Sequence, residues 1–235
     1  MKPPVFLAAS LLTLSLANFA HAQTTLAGWT FESATVSGTA STSTGPFLAE
    51  LGLQLNTAGT AASGFHTSAA TVYSSPAGNG SAKSLSSNTW ATGDYYQFTL
   101  STTGFTDLAV SFDQTSSATG PKDFKLSYST DGTNFTDFTS YSPIVNSAPN
   151  AWSASTPAPA AHFSFDFSAV DAIENVSQVT FRLVVTDTTA ENGNPVATAG
   201  TDRVDNFTVS TVPEPSAALA MVFGFGVIAF RRRRG

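Results

Sequence analysis

Val179-Thr180-Phe181-Arg182-Leu183-Val184-Val185 carries an apolar side chain at every second position, with Thr180 and Arg182 between them. Successive strand side chains point to opposite faces of a sheet, so this spacing sends one face into a core and the other to water. Phe124-Lys125-Leu126-Ser127-Tyr128 and Phe163-Ser164-Phe165-Asp166-Phe167 repeat the pattern. Weaker versions lie at Trp29-Thr30-Phe31, Tyr96-Gln97-Phe98-Thr99-Leu100, Leu108-Ala109-Val110-Ser111-Phe112 and Phe207-Thr208-Val209. Turn signals at Gly78-Asn79-Gly80, Gly120-Pro121 and Asp131-Gly132 separate them. About eight to ten strands in this order predict an all-β chain, an antiparallel β-sandwich of the jelly-roll type. Asp131-Gly132 is the sharpest hairpin signal, because both residues tolerate the positive φ of tight hairpins. Residues 169–175 give the one short helical hint, and 38–46 and 142–159 read as loops on their Ser/Thr/Gly and proline content. No repeat of solenoid or propeller period is present.

The chain of 235 residues has room for one domain plus terminal extras. Charged residues are only 11% of it, yet aromatics are also 11%, and nineteen phenylalanines supply a core that a disordered polar chain lacks. With no cysteine, disulfides, thiolate zinc, iron–sulfur ligation and a cysteine nucleophile are excluded, leaving packing or a hard metal ion as the only staples. Between residues 23 and 212 stand five basic and fifteen acidic residues, a net charge of −10. Nucleic acids and anionic membrane surfaces recruit Lys and Arg, so both are disfavoured partners.

The two ends carry addresses. Residues 1–22 read as a secretory signal peptide: Lys2 is the basic n-region, Val5 to Phe19 the apolar run, and Ala20-His21-Ala22 a small-x-small cleavage site. Export through the Sec translocon and trimming by signal peptidase follow. Residues 212–235 contain Pro213-Glu214-Pro215, an apolar run from Ala217 to Phe230, and Arg231-Arg232-Arg233-Arg234. The prolines hold the backbone extended just ahead of the run. Fourteen residues of helix reach about 21 Å against roughly 30 Å of hydrocarbon, a short transmembrane helix helped by arginine snorkelling. The arginines keep the tail cytoplasmic and place the 23–211 domain outside.

Motif, apolar run and Arg cluster together resemble the PEP-CTERM sorting signal of Gram-negative bacteria. The resemblance implies that an exosortase, a membrane-embedded transpeptidase-like protease, processes the inner-membrane precursor near Pro213-Glu214-Pro215 and releases the domain to the cell surface or extracellular matrix. A plain tail anchor with a proline hinge is the other reading. Residues 120–135, and the pairing of Trp29-Thr30-Phe31-Glu32 with Arg203-Val204-Asp205-Asn206-Phe207-Thr208-Val209, resemble galactose-binding-like jelly rolls and carbohydrate-binding modules. That likeness implies neighbouring first and last strands, with a Glu after the first and an Asp opening the last that help hold a structural calcium.

Candidate site residues follow from both readings. If Phe207 and Val209 point inward, period two turns Asp205 inward as well, and an inward carboxylate must be paired, hydrogen-bonded or metal-bound. Glu32, Asp202 and Asp205 are the calcium candidates; the alternative is that Asp205 and Asn206 satisfy neighbouring backbone or pair with Arg203. Trp90, Tyr95, Tyr141 and Trp152 lie outside or at the edges of the alternating pattern, where rings either stack on a sugar or cover a sandwich edge. Catalysis has little support: His66 and His162 sit in no metal or triad motif, and Asp113, Asp123 and Asp166 are either a carboxylate pair for glycoside hydrolysis, as in a secreted hydrolase, or solvent-facing acids between core aromatics, the ordinary outcome on an acidic β-protein. The expected protein is non-enzymatic, exported and associated with exopolysaccharide or biofilm. The alternative is a carbohydrate-binding module with a defined glycan site.

Overall fold

In a computed structural model that describes residues 23–34, 36 and 38–212, the alternating stretch at 179–185 is an interior strand with a partner on each side. The strands are β1 (Thr25–Trp29), β2 (Ser43–Leu48), β3 (Ala61–Phe65), β4 (Tyr73–Ser74), β5 (Leu85–Ser87), β6 (Tyr95–Leu100) and β7 (Leu108–Ser116). They continue with β8 (Phe124–Ser129), β9 (Thr136–Tyr141), β10 (Ile144–Val145), β11 (His162–Asp166), β12 (Val179–Val185) and β13 (Asp202–Thr211). One sheet is antiparallel in the order β2-β3-β6-β12-β8-β9. The other centres on the long β7–β13 pair, with β11 and β10 along the free side of β7, and β1 and β5 along the free side of β13, β4 lying beyond β5. First and last strands therefore lie side by side, Trp29 opposite Phe207.

Phenylalanine joins the sheets. Phe98 of β6 stacks on Phe207 of β13 with centroids 3.6 Å apart, and Phe207 also stacks on Phe112 of β7 at 5.8 Å. Trp29 meets Phe98 and Phe207 edge-on, and Phe181 tilts against Phe207. All five rings are buried, and each buried aromatic contributes about 1.5–3 kcal/mol from area alone, with more from ring geometry.

Several expectations are refined. The thirteen strands among the described residues exceed the expected eight to ten because β4, β5 and β10 are only two or three residues long, too short to carry an alternation. β10 pairs with β7 in parallel, a departure from the all-antiparallel expectation. Residues 38–46 are not all loop: β2 starts at Ser43 and includes Pro46, tolerated because β2 is an edge strand whose register shifts between Thr44 and Phe47. Gly45 at that shift has φ 93°, and a Cβ there would lie 2.7 Å from the Ala62 carbonyl oxygen, so glycine is required. The hairpin at Asp131-Gly132 exists, between β8 and β9, but only Gly132 takes positive φ (73°). Asp131 instead accepts hydrogen bonds from the Asn134 side chain, the backbone N–H groups of Asn134 and Thr133, and the Ser129 hydroxyl, which hold its carboxyl well below the ordinary range. The helical hint is a single 3₁₀ turn, Asp171–Ile173.

The signal segment 1–22, the Pro213-Glu214-Pro215 motif, the apolar run to Phe230 and Arg231 to Arg234 lie outside the described residues. Among the described residues no helix is long and apolar enough to cross a membrane.

Candidate functional site

The three calcium candidates occupy three different environments. Asp205 is buried, but not in the core. The β13 register shifts between Asp205 and Thr208, Asn206 takes φ 51°, and the bulge cancels the period-two extrapolation from Phe207. Asp205 stands opposite Asp113 of β7 and shares with it the outward side of the sheet, beneath the 78–81 loop. Its Oδ2 accepts the Asn79 N–H at 2.9 Å and the Ser81 hydroxyl at 2.6 Å, and its Oδ1 accepts the Asn206 N–H at 2.8 Å. Burial raises its pKa to about 6, against those hydrogen bonds, and the Asp113 carboxylate adds to the rise. Gly78 permits this fit: a Cβ there would come 2.2 Å from Asp205 Oδ2. Asp202 points into the core, where Gln114 Nε2 and Ser116 Oγ donate to its two oxygens at 2.9 and 2.8 Å, and burial pushes its carboxyl well above the usual range. Glu32 is exposed and accepts the Lys83 N–H at 2.8 Å. Calcium requires six to eight oxygens around one point. Among the described residues no three acidic or histidine side chains come together at one point, and the oxygens of Glu32, Asp202 and Asp205 are bonded to separate protein donors.

The four aromatics also divide. Trp90 is a core residue: its indole lies 4.1 Å from the His66 ring, meets Tyr96 and Phe124 edge-on, and donates to the Ser87 carbonyl. Trp152 is buried in a small cluster with Ala158, Ala161 and Ile144. Tyr141 packs against Phe112, Phe124 and Phe163, and its hydroxyl donates to Gln114 Oε1 at 2.6 Å. These three rings are turned inward, and of the two readings open to them each takes the one that covers the sandwich. Tyr95 lies on the outward face of the six-stranded sheet.

That face carries a continuous stack. Phe65 of β3, 40% exposed, stands directly opposite Tyr95 of β6 with ring centroids 5.4 Å apart and planes 26° from parallel. The Arg182 guanidinium of β12 sits 3.9 Å over the Tyr95 ring and 3.8 Å over the ring of Phe135 from the β8–β9 loop. Arg182 Nε donates to Gln97 Oε1 at 2.8 Å, and burial lowers the guanidinium pKa. Ser63, Thr99 and the Lys125–Asp137 ion pair flank the row, and the hydroxyl of buried Thr180 is bonded to that of Thr99. The arrangement offers aromatic ring surface, hydroxyls, an amide and a fork of N–H donors on one face of the sheet, the mixture that holds a polyhydroxylated ligand. Of this set the sequence suggested Tyr95 alone. Arg182 was visible as a lone cation on the polar side of the best strand; Phe65 lies in Ala-Ala-Ser-Gly-Phe, which has no alternation to reveal it.

Two other constellations are internally committed. His66 brings Nδ1 to 3.1 Å from Asp94 Oδ2 and Nε2 to 3.0 Å from Ser87 Oγ, a Ser–His–Asp string in no motif order. All three residues are at most 1% exposed, and Ser87 Oγ is also bonded to the Tyr96 hydroxyl, so no substrate reaches the nucleophile position. Burial opposes ionisation of Asp94, but the imidazole of His66 and the N–H groups of Thr67 and Ala91 outweigh it and lower the pKa. A cavity of about 840 Å³ opens beside β2, walled by Phe31, Ser33, Thr44, Phe47 and Tyr73. Its carboxylate, Glu50, is taken up by donors from Thr30, Glu32 and Ser33. His162, half exposed, places Nδ1 2.8 Å from Asp113, beside Asp205. Asp123 Oδ1 accepts the Ser142 hydroxyl, and Asp166 Oδ1 accepts the Ser168 N–H two residues on.

No protein-family model matches the chain, and no curated protein matches it. Solved structures do. The CBM22-1 and GH10 modules of Clostridium thermocellum endo-1,4-beta-D-xylanase 10B, complexed with xylohexaose, align over 82% of this chain at 13% identity with a TM-score of 0.45; the chain spans 29% of that protein's length. The CBM22-2 xylan-binding domain of Paenibacillus barcinonensis Xyn10C aligns over 79% of this chain and 98% of its own at 12% identity, TM-score 0.46. The K2 cleaved adhesin domain of Lys-gingipain aligns over 79% and 98% at 16% identity, TM-score 0.41. The solved structures similar to this chain thus include carbohydrate-binding modules and a cleaved adhesin domain.

Proposed function

We propose that this chain is an exported, non-enzymatic glycan-binding protein whose ligand lies across the outward face of the six-stranded sheet. The observation that carries the reading is the Phe65–Tyr95–Arg182–Phe135 row, three rings and a guanidinium stacked on a solvent-facing surface. Such a row costs apolar exposure at Phe65 that the core, already filled with phenylalanine, does not need. A sugar ring supplies C–H groups that pack on the apolar surface of the exposed Phe65 ring, and hydroxyls for Gln97 and Arg182. The resemblance of residues 212–235 to the PEP-CTERM signal supports the routing: Sec export, an inner-membrane precursor, exosortase processing, and residence among exopolysaccharide at the cell surface.

Affinity electrophoresis of the full-length chain through gels containing neutral and acidic polysaccharides tests the binding. Saturable retardation that is lost in the Phe65→Ala/Tyr95→Ala double variant, at unchanged melting temperature, is expected. Retardation by no glycan refutes the reading and leaves a structural role in the matrix. Intact mass of the protein released by its native host tests the routing, which fails if Arg231 to Gly235 remain attached.

A further inference from the structure

Five basic residues serve the fifteen acidic ones between residues 23 and 212, so a surface guanidinium has many carboxylates to choose from. Lys125 takes Asp137 at 2.9 Å. Lys83 Nζ donates to the Ala34 carbonyl, Lys122 lies in the field of Glu191, and half-buried Arg203 lies in the field of Asp202. Of these five cations Lys125 alone has a carboxylate within 4 Å among the described residues; Lys83, Lys122 and Arg203 have none, and neither has Arg182. Its surroundings are the Tyr95 and Phe135 rings, and Nε is its one nitrogen that donates to a protein acceptor there.

We infer that Arg182 reads a carboxylate on a sparsely acidic polysaccharide laid across β3, β6 and β12, an assignment that rests on the glycan reading above. The rings cover the two faces of the guanidinium and leave its edge, where the unused N–H donors lie. That edge is the planar fork that pairs with a carboxylate through two parallel hydrogen bonds. The sandwich fixes the group in advance, so little side-chain freedom is lost when a ligand arrives. Neutral hydroxyls would be served as well by a second amide like Gln97, and a charged donor half removed from water is costly to maintain for them alone. Charge also limits the density of acid in the ligand. A domain at −10 repels a polyanion, and one unpaired arginine meets one carboxylate, which selects a chain with an occasional uronate among neutral sugars over a polyuronate.

Glucuronoxylan and its carboxyl-reduced counterpart share a backbone and differ in the acid, and serve as the probe pair for the full-length chain. Wild type should bind the native polymer about tenfold or more tightly than the reduced one, as expected for hydrogen bonds to a charged group. Arg182→Gln should erase that preference while still binding the reduced polymer. If Arg182→Gln lowers the melting temperature, the wild-type comparison decides alone. Equal binding of the two polymers by wild type overturns the inference and leaves the glycan reading standing. Binding of neither overturns the inference as well, and the glycan reading then stands or falls on the wider panel of polysaccharides. Tighter binding of polygalacturonate or dextran sulfate than of glucuronoxylan overturns it too, showing attraction to anions in general.

Discussion

Replacing Asp205 by Asn tests the electrostatics of the outward cluster on the β7–β13 sheet. Burial lifts the Asp205 carboxyl from 3.8 to about 6. Below 3.8 both folded and unfolded chains hold the proton, and the folded state keeps its full share of stability. Between 3.8 and about 6 the folded chain still holds the proton while the unfolded chain has released it, so stability falls as pH rises. Above 6 the loss is complete, and a gap of about two pH units at 1.36 kcal/mol each makes it about 3 kcal/mol. The amide introduced by Asp205→Asn carries no charge at any pH and mimics the protonated acid, so the variant lacks this dependence. Urea unfolding of both proteins at pH 4, 5, 6, 7 and 8 gives the difference in stability at each pH. Any constant offset from altered hydrogen bonding to Asn79, Ser81 and Asn206 drops out of its slope. The variant should gain about 2.4 kcal/mol on wild type from pH 4 to pH 7, because about 0.6 kcal/mol of the loss has already occurred at pH 4, and this is about 5–10 °C in Tm for a domain of this size. A difference that stays flat within about 0.5 kcal/mol over that range refutes the buried-carboxylate reasoning.

Phe207→Ala removes the ring shared by Phe98, Phe112, Trp29 and Phe181 and should cost about 3–5 kcal/mol in chemical denaturation; a loss under 1 kcal/mol would mean that the two sheets are held elsewhere. Trp90→Ala should destabilise by a similar amount. Glycan affinity measured below its lowered Tm should be unchanged, whereas lost affinity in a folded variant would return Trp90 to the binding surface. Because the oxygens of Asp202 and Asp205 already accept protein donors, calcium and EDTA should give the same Tm within about 1 °C, and a rise of several degrees with calcium would show a site built from other oxygens. Gly78→Ala drives a methyl into Asp205 Oδ2, Ser81 Oγ and the Lys83 carbonyl, and should destabilise by more than the few tenths of a kcal/mol ordinary for an exposed loop; near-neutral behaviour would show a loop loose enough to step aside.

Alternation along a strand is a local property, and it located β6, β7, β8, β11, β12 and β13 together with the inward rings Phe98, Phe112, Phe124, Phe181 and Phe207. Pairing of the first strand with the last was legible only through resemblance. What failed were extrapolations across an interruption. Period two carried Asp205 into the core because nothing in Asp-Asn-Phe announces a bulge, and Asn206 at φ 51° is a property of the paired strands. Trp90, Tyr141 and Trp152 looked peripheral because they follow no alternation, yet loops and an edge strand fold them inward. The candidate site draws Phe65, Tyr95, Arg182 and Phe135 from β3, β6, β12 and a hairpin loop, 117 positions apart from first to last in the sequence, and no spacing rule connects them.

By itself the sequence determined what depends on neighbours along the chain: strands from period two, core membership from phenylalanine, and acidity from the count of charges. Tertiary structure decided what depends on neighbours in space. Register placed Phe65 against Tyr95, strand order set Gln97 beside Arg182, and the β8–β9 loop brought Phe135 over the guanidinium. Whether a polar group is satisfied is likewise a spatial fact: Asp94, Asp202 and Asp205 found their donors on other elements, and Arg182 alone of the five cations was left facing rings in place of acids.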